Sequence, residues 1–112
     1  ISIDPILSIP GVRGALRLCQ APVVAVSPII GGQAVKGPTA KMMEELGLPV
    51  SAAAVARHYQ EFLDIYIADE ADRGAMAGLD LPVVLAPTLM VTLEDREALA
   101  RIVLDAADRV RR

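Results

Sequence analysis

A chain of 112 residues with a net charge of −3 is large enough for one domain with a modest core, and it has no basic cluster of the kind that binds nucleic acid. Hydrophobic residues make up 54% of the sequence and aromatic residues only 3%, and this aliphatic composition is typical of parallel strands covered by helices on both faces. The single cysteine, Cys19, excludes an internal disulfide, and since no signal peptide is visible we expect a cytoplasmic protein.

Helices and strands alternate along the chain. Helices are predicted at residues 4–9, 12–20, 39–46, 51–60 and 73–78 and after the capping-box pattern Thr92-x-x-Asp95, whereas strands are predicted at residues 22–26, 62–68 and 81–86. The uncharged run at residues 18–35 contains prolines and glycines, so it predicts no membrane span. Three strands joined by helices imply parallel pairing through right-handed crossovers. The sequence therefore predicts an α/β, Rossmann-like three-layer fold in a single domain of residues 1–112.

The loop at residues 27–38 joins the first predicted strand to the helix that follows it. Its glycines let the backbone approach a ligand closely, and the first N–H groups of the helix have no partner within the helix. Gly37 suits the N-cap and Pro38 the first helical position, and Lys36 adds a positive charge at the same place. We therefore predict an anion-binding loop whose contact residues are Ser27, Gly31, Gly32, Lys36, Gly37 and Pro38.

Neither standard phosphate motif fits this loop. A Walker A motif would place the lysine after its second glycine, but Lys36 precedes Gly37. The pair Gly31-Gly32 also lacks the third glycine of a dinucleotide fingerprint. On pattern alone, the alternative is a turn that only connects the strand to the helix.

Two further candidate residues follow the other predicted strands. Asp69 either contacts a ribose, a metal or a base, or caps the next helix, and Thr88 is either a ligand contact or a simple turn residue. Ligands of open parallel sheets bind beyond the carboxyl ends of the strands, so any site should draw on the loops that begin at Ser27, Asp69 and Thr88. His58 is the only histidine, which excludes a histidine-pair metal site within this chain and favours a packed or surface role over catalysis.

Four motifs stand out along the chain. They are Ile3-x-Pro5-Ile6-Leu7-x-Ile9-Pro10-Gly11-Val12-Arg13, Ser27-Pro28-Ile29-Ile30-Gly31-Gly32-x-Ala34-x-Lys36-Gly37-Pro38, Val55-Ala56-x-His58-Tyr59 and Thr88-Leu89-Met90. In order and approximate spacing they resemble the final third of the 2-phospho-L-lactate transferases, which build the deazaflavin coenzyme F(420). Members of that family are much longer, so the resemblance implies a C-terminal portion with a partial Rossmann-like half, lacking the family's early glycine-rich loop and metal-linked acidic residues.

The resemblance implies an enzyme that transfers a 2-phospholactyl group, or a phosphoenolpyruvyl group in some members, from a guanosine diphosphate-type donor to the deazaflavin Fo. GMP would leave and magnesium would assist, with the metal ligands and the catalytic residues outside this chain. The 112-residue chain alone would then be inactive. A missing half-sheet would also leave an apolar edge uncovered, and we expect a homo-oligomer or pairing with the remaining N-terminal part.

A non-enzymatic α/β nucleotide-binding or receiver-like module is the alternative. Asp69, Thr88 and Lys36 are residue types that a receiver domain uses, and the length of the chain is suitable. A receiver also needs an acidic cluster at the end of its first strand and a lysine after its last strand, and neither is present. A third possibility is that the transferase fold persists as an interaction module without catalysis.

Overall fold

The computed structural model describes residues 1–34 and 38–110. Within these ranges the helices are α1 (Asp4–Leu7), α2 (Val12–Leu18), α3 (Thr39–Glu45), α4 (Ala52–Tyr59) and α5 (Leu93–Arg109). The strands are β1 (Val24–Val26), β2 (Ile29–Ile30), β3 (Gln33–Ala34), β4 (Ile65–Asp69) and β5 (Val83–Ala86). Two 3₁₀ segments, Gln60–Phe62 and Glu70–Met76, lie before and after β4.

The central strand of the larger sheet is β4. It pairs in parallel with β1, where Val24 lies opposite Ile65, and with β5, where Tyr66 lies opposite Val83. The strand order is therefore β1-β4-β5. All five residues of β4 are buried, as expected for an aliphatic parallel strand that is covered on both faces. The predicted parallel α/β fold is confirmed.

Successive residues of β4 face two different layers of helices, because side chains alternate across a strand. Tyr66 belongs to the larger core, together with Ala52 and Val55 of α4. Ile67 packs on the opposite face, in a second cluster that contains Leu99 of α5. The sheet thus lies between α4 on one side and α5 on the other, and the predicted three-layer arrangement is confirmed.

The predicted starts of two helices are also confirmed. The Ser51 side chain accepts a hydrogen bond from the backbone N–H of Ala54 at 3.1 Å and caps α4. At the start of α5, Thr92 and Asp95 form a reciprocal capping box, in which each side chain accepts from the other residue's backbone N–H. The charge-assisted bonds from the N–H groups of Thr92 and Val91 lower the pKa of Asp95.

The N-cap of α3 differs from the prediction by one residue. Pro38 is the N-cap and Thr39 is the first helical residue, whereas the sequence predicts Pro38 as the first helical residue after a Gly37 N-cap. Gly37 itself lies outside the described residues. Proline tolerates both positions because neither requires its missing N–H group.

The predicted loop after β1 contains a β-hairpin. Strands β2 and β3 pair antiparallel, with Ile29 opposite Ala34 and Ile30 opposite Gln33. The two residues between them are Gly31 and Gly32, with φ angles of 60° and 77°. Two consecutive positive φ angles are what a two-residue type I′ hairpin turn needs, so the glycines here shape a turn.

Smaller differences concern the ends of elements. Helix α2 ends at Leu18, two residues before the predicted end, and the predicted short helix at 73–78 is a 3₁₀ segment that begins at Glu70. Strand β4 begins at Ile65, three residues later than predicted, because the preceding residues form a 3₁₀ turn. In the intervening loop the Asp64 carboxylate accepts a hydrogen bond from the Val23 N–H at 2.7 Å, which aligns the starts of β1 and β4.

Candidate functional site

A cavity of about 320 Å³ opens at the carboxyl ends of β1 and β5. Two of the predicted contact residues line it, Ser27 after β1 and Thr88 after β5. The remaining lining residues are apolar and come from the same two chain segments: Val26, Pro28, Ile30, Leu89 and Met90. Its position is the one expected for a ligand site in an open parallel sheet.

Ser27 shapes the wall of this cavity through local hydrogen bonds. Its backbone N–H donates to the Ile67 carbonyl at 2.8 Å and so extends the pairing of β1 with β4. Its hydroxyl accepts from the Ile29 N–H at 3.1 Å and lies 3.3 Å from the Ile29 carbonyl oxygen. The Ser27 side chain is buried, and its contacts turn the chain from β1 into β2.

Asp69 and Thr88 are brought together by direct hydrogen bonds. One carboxylate oxygen of Asp69 accepts from both the backbone N–H and the hydroxyl of Thr88, at 2.9 and 3.1 Å. The other oxygen accepts from the Ala71 N–H at 2.9 Å, which confirms the helix-cap interpretation of this residue. Burial alone would raise the pKa of Asp69, but these hydrogen bonds lower it further than burial raises it. Asp69 therefore stays ionised and fixes Thr88 at the cavity.

The N–H groups of Gly31 and Gly32 do not point to an open ligand site. They donate to the two oxygens of one carboxylate, that of Asp72, at 3.0 and 2.9 Å. Asp72 is only 5% exposed. The structure thus gives these two donors an internal partner where the sequence analysis expects a ligand. Sequence reasoning assigns no role to Asp72, because nothing in the pattern relates a glycine turn to an acid some 40 residues further along the chain.

The described lining of this cavity does not include the three other predicted contacts. Lys36 and Gly37 lie outside the described residues. Pro38 is exposed at the start of α3 and does not line the cavity. These three residues remain predictions as ligand contacts.

His58 has the packed role that the sequence favours. Its Nε2 atom lies 2.9 Å from one oxygen of the Asp4 carboxylate, and the Tyr59 hydroxyl donates to the other oxygen at 2.8 Å. Asp4 belongs to α1, so these contacts join α1 to the end of α4. All three side chains are wholly or half buried.

A second cavity, of about 380 Å³, runs along the outer side of β1. It is lined mainly by apolar side chains, among them Leu16 of α2, Val55 and Tyr59 of α4, and Phe62. In the sheet of the described residues β1 is an edge strand. The predicted uncovered apolar edge is therefore present along β1.

No group of three or more histidine, cysteine, aspartate or glutamate side chains converges among the described residues in a way that would hold a metal ion. The two buried carboxylates, Asp69 and Asp72, already accept hydrogen bonds from backbone N–H groups on both oxygens. The described residues therefore do not fit a magnesium site. None of the helices in the described ranges is long and apolar enough to cross a membrane.

Comparison with known proteins identifies relatives along almost the whole chain. The family model for 2-phospho-L-lactate transferase CofD matches residues 1–80. A 2-phospho-L-lactate transferase of Methanosarcina acetivorans is 45% identical over 97% of this chain and 36% of its own length. One from Methanococcus maripaludis is 39% identical over 93% of this chain and 33% of its own. A phosphoenolpyruvate transferase of Kitasatospora aureofaciens is 37% identical over 99% of this chain and 36% of its own length.

These relatives favour the transferase resemblance over the receiver-like alternative. The chain spans about a third of the length of the curated relatives it matches. The family model reaches from α1 to the loop before β5, and the alignments with the relatives continue over nearly all of the chain. The chain therefore belongs to the 2-phospho-L-lactate transferase family.

Proposed function

We propose that this chain forms one wall of the substrate site of a 2-phospho-L-lactate transferase. The whole protein would transfer a 2-phospholactyl or phosphoenolpyruvyl group from a guanosine diphosphate-type donor to the deazaflavin Fo. The family membership supports this reaction class, and both 2-phospho-L-lactate transferases and a phosphoenolpyruvate transferase align with nearly all of the chain. The cavity between Ser27 and Thr88 supports a substrate site within this chain.

The proposed reaction is a phosphoryl-type transfer. The ribityl hydroxyl oxygen of Fo forms a bond to the phosphorus atom that carries the lactyl group, and the bond from that phosphorus to the bridging oxygen breaks. The hydroxyl proton is released, and GMP leaves with the electron pair of the broken bond. Such a reaction depends on aligning the acceptor with the donor and on neutralising the charge of the diphosphate.

We assign the acceptor, rather than the diphosphate, to the cavity between Ser27 and Thr88. None of the described residues that line it is cationic, and five of the seven are apolar, which suits the ring system of Fo. The Thr88 hydroxyl donates a hydrogen bond to Asp69. The hydroxyl oxygen of Thr88 can therefore still accept a hydrogen bond from a ligand hydroxyl. The residues of this chain would therefore bind and orient Fo and exclude water from its ring.

The diphosphate is assigned to the segment that contains Lys36, which the family motif and its charge support. Magnesium is part of the same proposal because the family resemblance implies it. No group of the described residues converges to hold a metal ion, and the family resemblance implies metal ligands outside residues 1–112. For the same reason we expect the 112-residue chain alone to form no product.

Two substitutions in the full-length protein test the two assignments separately. Met90→Ala removes part of the cavity wall, and we expect Fo to bind at least about fourfold more weakly, since the loss of one buried CH₂ group costs about 0.8 kcal/mol. Affinity for GDP should not change. Lys36→Ala should do the reverse and weaken GDP binding about tenfold or more, through loss of a charge-assisted hydrogen bond.

Leu104→Ala is the matched control for the cavity variant, because Leu104 is an exposed apolar residue of α5 that does not line the cavity. Isothermal titration with Fo and with GDP gives all the affinities. If Met90→Ala binds Fo as tightly as Leu104→Ala does, the cavity is not the acceptor site. If Lys36→Ala binds GDP like the wild type, the segment that contains Lys36 is not the diphosphate site.

A further inference from the structure

We propose that Asp72 is a positioning residue for the substrate cavity, because its carboxylate holds the β2–β3 turn and thereby fixes Ile30 in the cavity wall. The inference rests on the proposed function, since it takes the cavity between Ser27 and Thr88 to be the Fo site. It concerns a residue that does not line the cavity itself.

The contact joins two segments that are distant in sequence. The N–H of Gly31 donates to one carboxylate oxygen of Asp72 at 3.0 Å, and the N–H of Gly32 donates to the other at 2.9 Å. Asp72 lies in the 3₁₀ segment that follows β4, at a residue whose φ and ψ angles of −102° and 17° interrupt the helical geometry. The turn of the hairpin is therefore attached to the loop at the carboxyl end of the central strand.

The hairpin needs such an attachment. It has only two residue pairs, and a two-stranded hairpin of that length is not stable alone in water. At its base it is held by the buried side chain of Ile29 and by the hydrogen bonds of Ser27. Asp72 supplies the attachment at the other end, and Ile30, which lines the cavity, lies between the two.

A carboxylate is suited to this role in a way that an amide is not. Both oxygens of Asp72 accept, one from each glycine, and a buried charge needs such donors. An asparagine has one acceptor oxygen, and its NH₂ group would face the second glycine N–H. The Asp72 charge also acts on Tyr66 of β4. Burial raises the pKa of this tyrosine to about 12, and the Asp72 charge contributes to the rise.

Asp72→Asn and Glu70→Gln in the full-length protein test the inference. Glu70 is an exposed acid of the same 3₁₀ segment. Glu70→Gln therefore removes one negative charge from the same segment without touching the hairpin contact. In Asp72→Asn we expect amide hydrogen exchange of the peptide that covers residues 29–34 to quicken about tenfold, with the KM for Fo raised several-fold and kcat within about twofold of the wild type. Asp72→Glu, which keeps both oxygens, should recover part of the KM change, and Glu70→Gln should match the wild type.

Three results would overturn the positioning role. One is exchange of the 29–34 peptide that is the same in Asp72→Asn and Glu70→Gln. Another is faster exchange throughout β4 and α4, which would make Asp72 a residue of general stability. The third is faster hydrogen exchange of the 29–34 peptide in Asp72→Asn while the KM for Fo is unchanged. Met90→Ala, measured in parallel, separates this inference from the proposed function. An unchanged Fo affinity of Met90→Ala rejects the cavity as the acceptor site. The hydrogen exchange of Asp72→Asn tests the attachment of the hairpin directly, whatever the cavity binds.

Discussion

At the scale of single residues, two buried aspartates act as acceptors for backbone N–H groups of other segments. Asp69 accepts from Thr88 and Ala71, and Asp72 accepts from Gly31 and Gly32. Hydrogen bonds to an ionised acceptor are stronger than neutral ones, and a loop has few other partners for its backbone groups. The loop after β5 is thus attached to the last residue of β4, and the loop after β1 to the segment that follows β4, which places their side chains around one cavity.

The pH dependence of stability should report the Asp69 contact. Its pKa is lowered in the folded state, so its contribution to the free energy of unfolding is fully present above the unfolded pKa of about 4 and is lost as the pH falls through the folded pKa. Asp69→Asn should lower the free energy of unfolding at pH 7 by about 2 kcal/mol. The decrease of that free energy with falling pH should then be smaller in the variant, because the Asp69 contribution is already absent.

Urea unfolding of the wild type and of the variant, followed by circular dichroism between pH 2 and 7, measures both effects. Asp80→Asn is the control, since Asp80 is exposed and its side chain is not involved in the contact. Equal losses of stability in the two variants at pH 7 would show that the buried contact contributes nothing specific.

At the scale of elements, the regular parts of the fold could be predicted from sequence and the hairpin could not. The aliphatic runs predict the three strands of the sheet. Ser51 and Thr92 predict helix starts, because a cap joins residues only three positions apart and is therefore visible in the local sequence. The β2–β3 hairpin has only four strand residues, and Gly31-Gly32 fits both a ligand loop and a tight turn. In the structure the glycines form the turn and their N–H groups donate to Asp72, a long-range partner that local pattern does not reveal.

The turn geometry makes a prediction about Gly32. Its φ angle is 77°, and a Cβ atom added there would meet nothing within 4 Å, so a substitution is opposed by backbone conformation alone. Gly32→Val should lower the free energy of unfolding by about 1–2 kcal/mol, because a β-branched residue at positive φ is strained. Gly32→Asn should lose much less, since asparagine tolerates this conformation. Thermal unfolding of both variants measures the difference, and equal losses would mean that the hairpin rearranges around either side chain.

At the scale of the whole molecule, the described residues form an apolar cavity beside one edge of the sheet. Among them β1 is an edge strand, and the cavity of about 380 Å³ beside it is lined mainly by apolar groups. The opposite edge strand, β5, leads into the loop that lines the smaller cavity. The two cavities meet at Val26 and Pro28, which line both, so a partner along β1 would lie directly beside the cavity between Ser27 and Thr88.

An open apolar strand edge should make the 112-residue chain associate. Sedimentation velocity over a hundredfold range of concentration should show an average mass that rises with concentration. Val26 lies on β1 and is 38% exposed, so Val26→Lys should shift the association to higher concentration by placing a charge on the edge strand. Leu104→Lys makes the same chemical change on the exposed side of α5 and should have a smaller effect. A chain that stays monomeric at every concentration, or equal responses to the two lysines, would show that β1 is not the surface through which this chain associates.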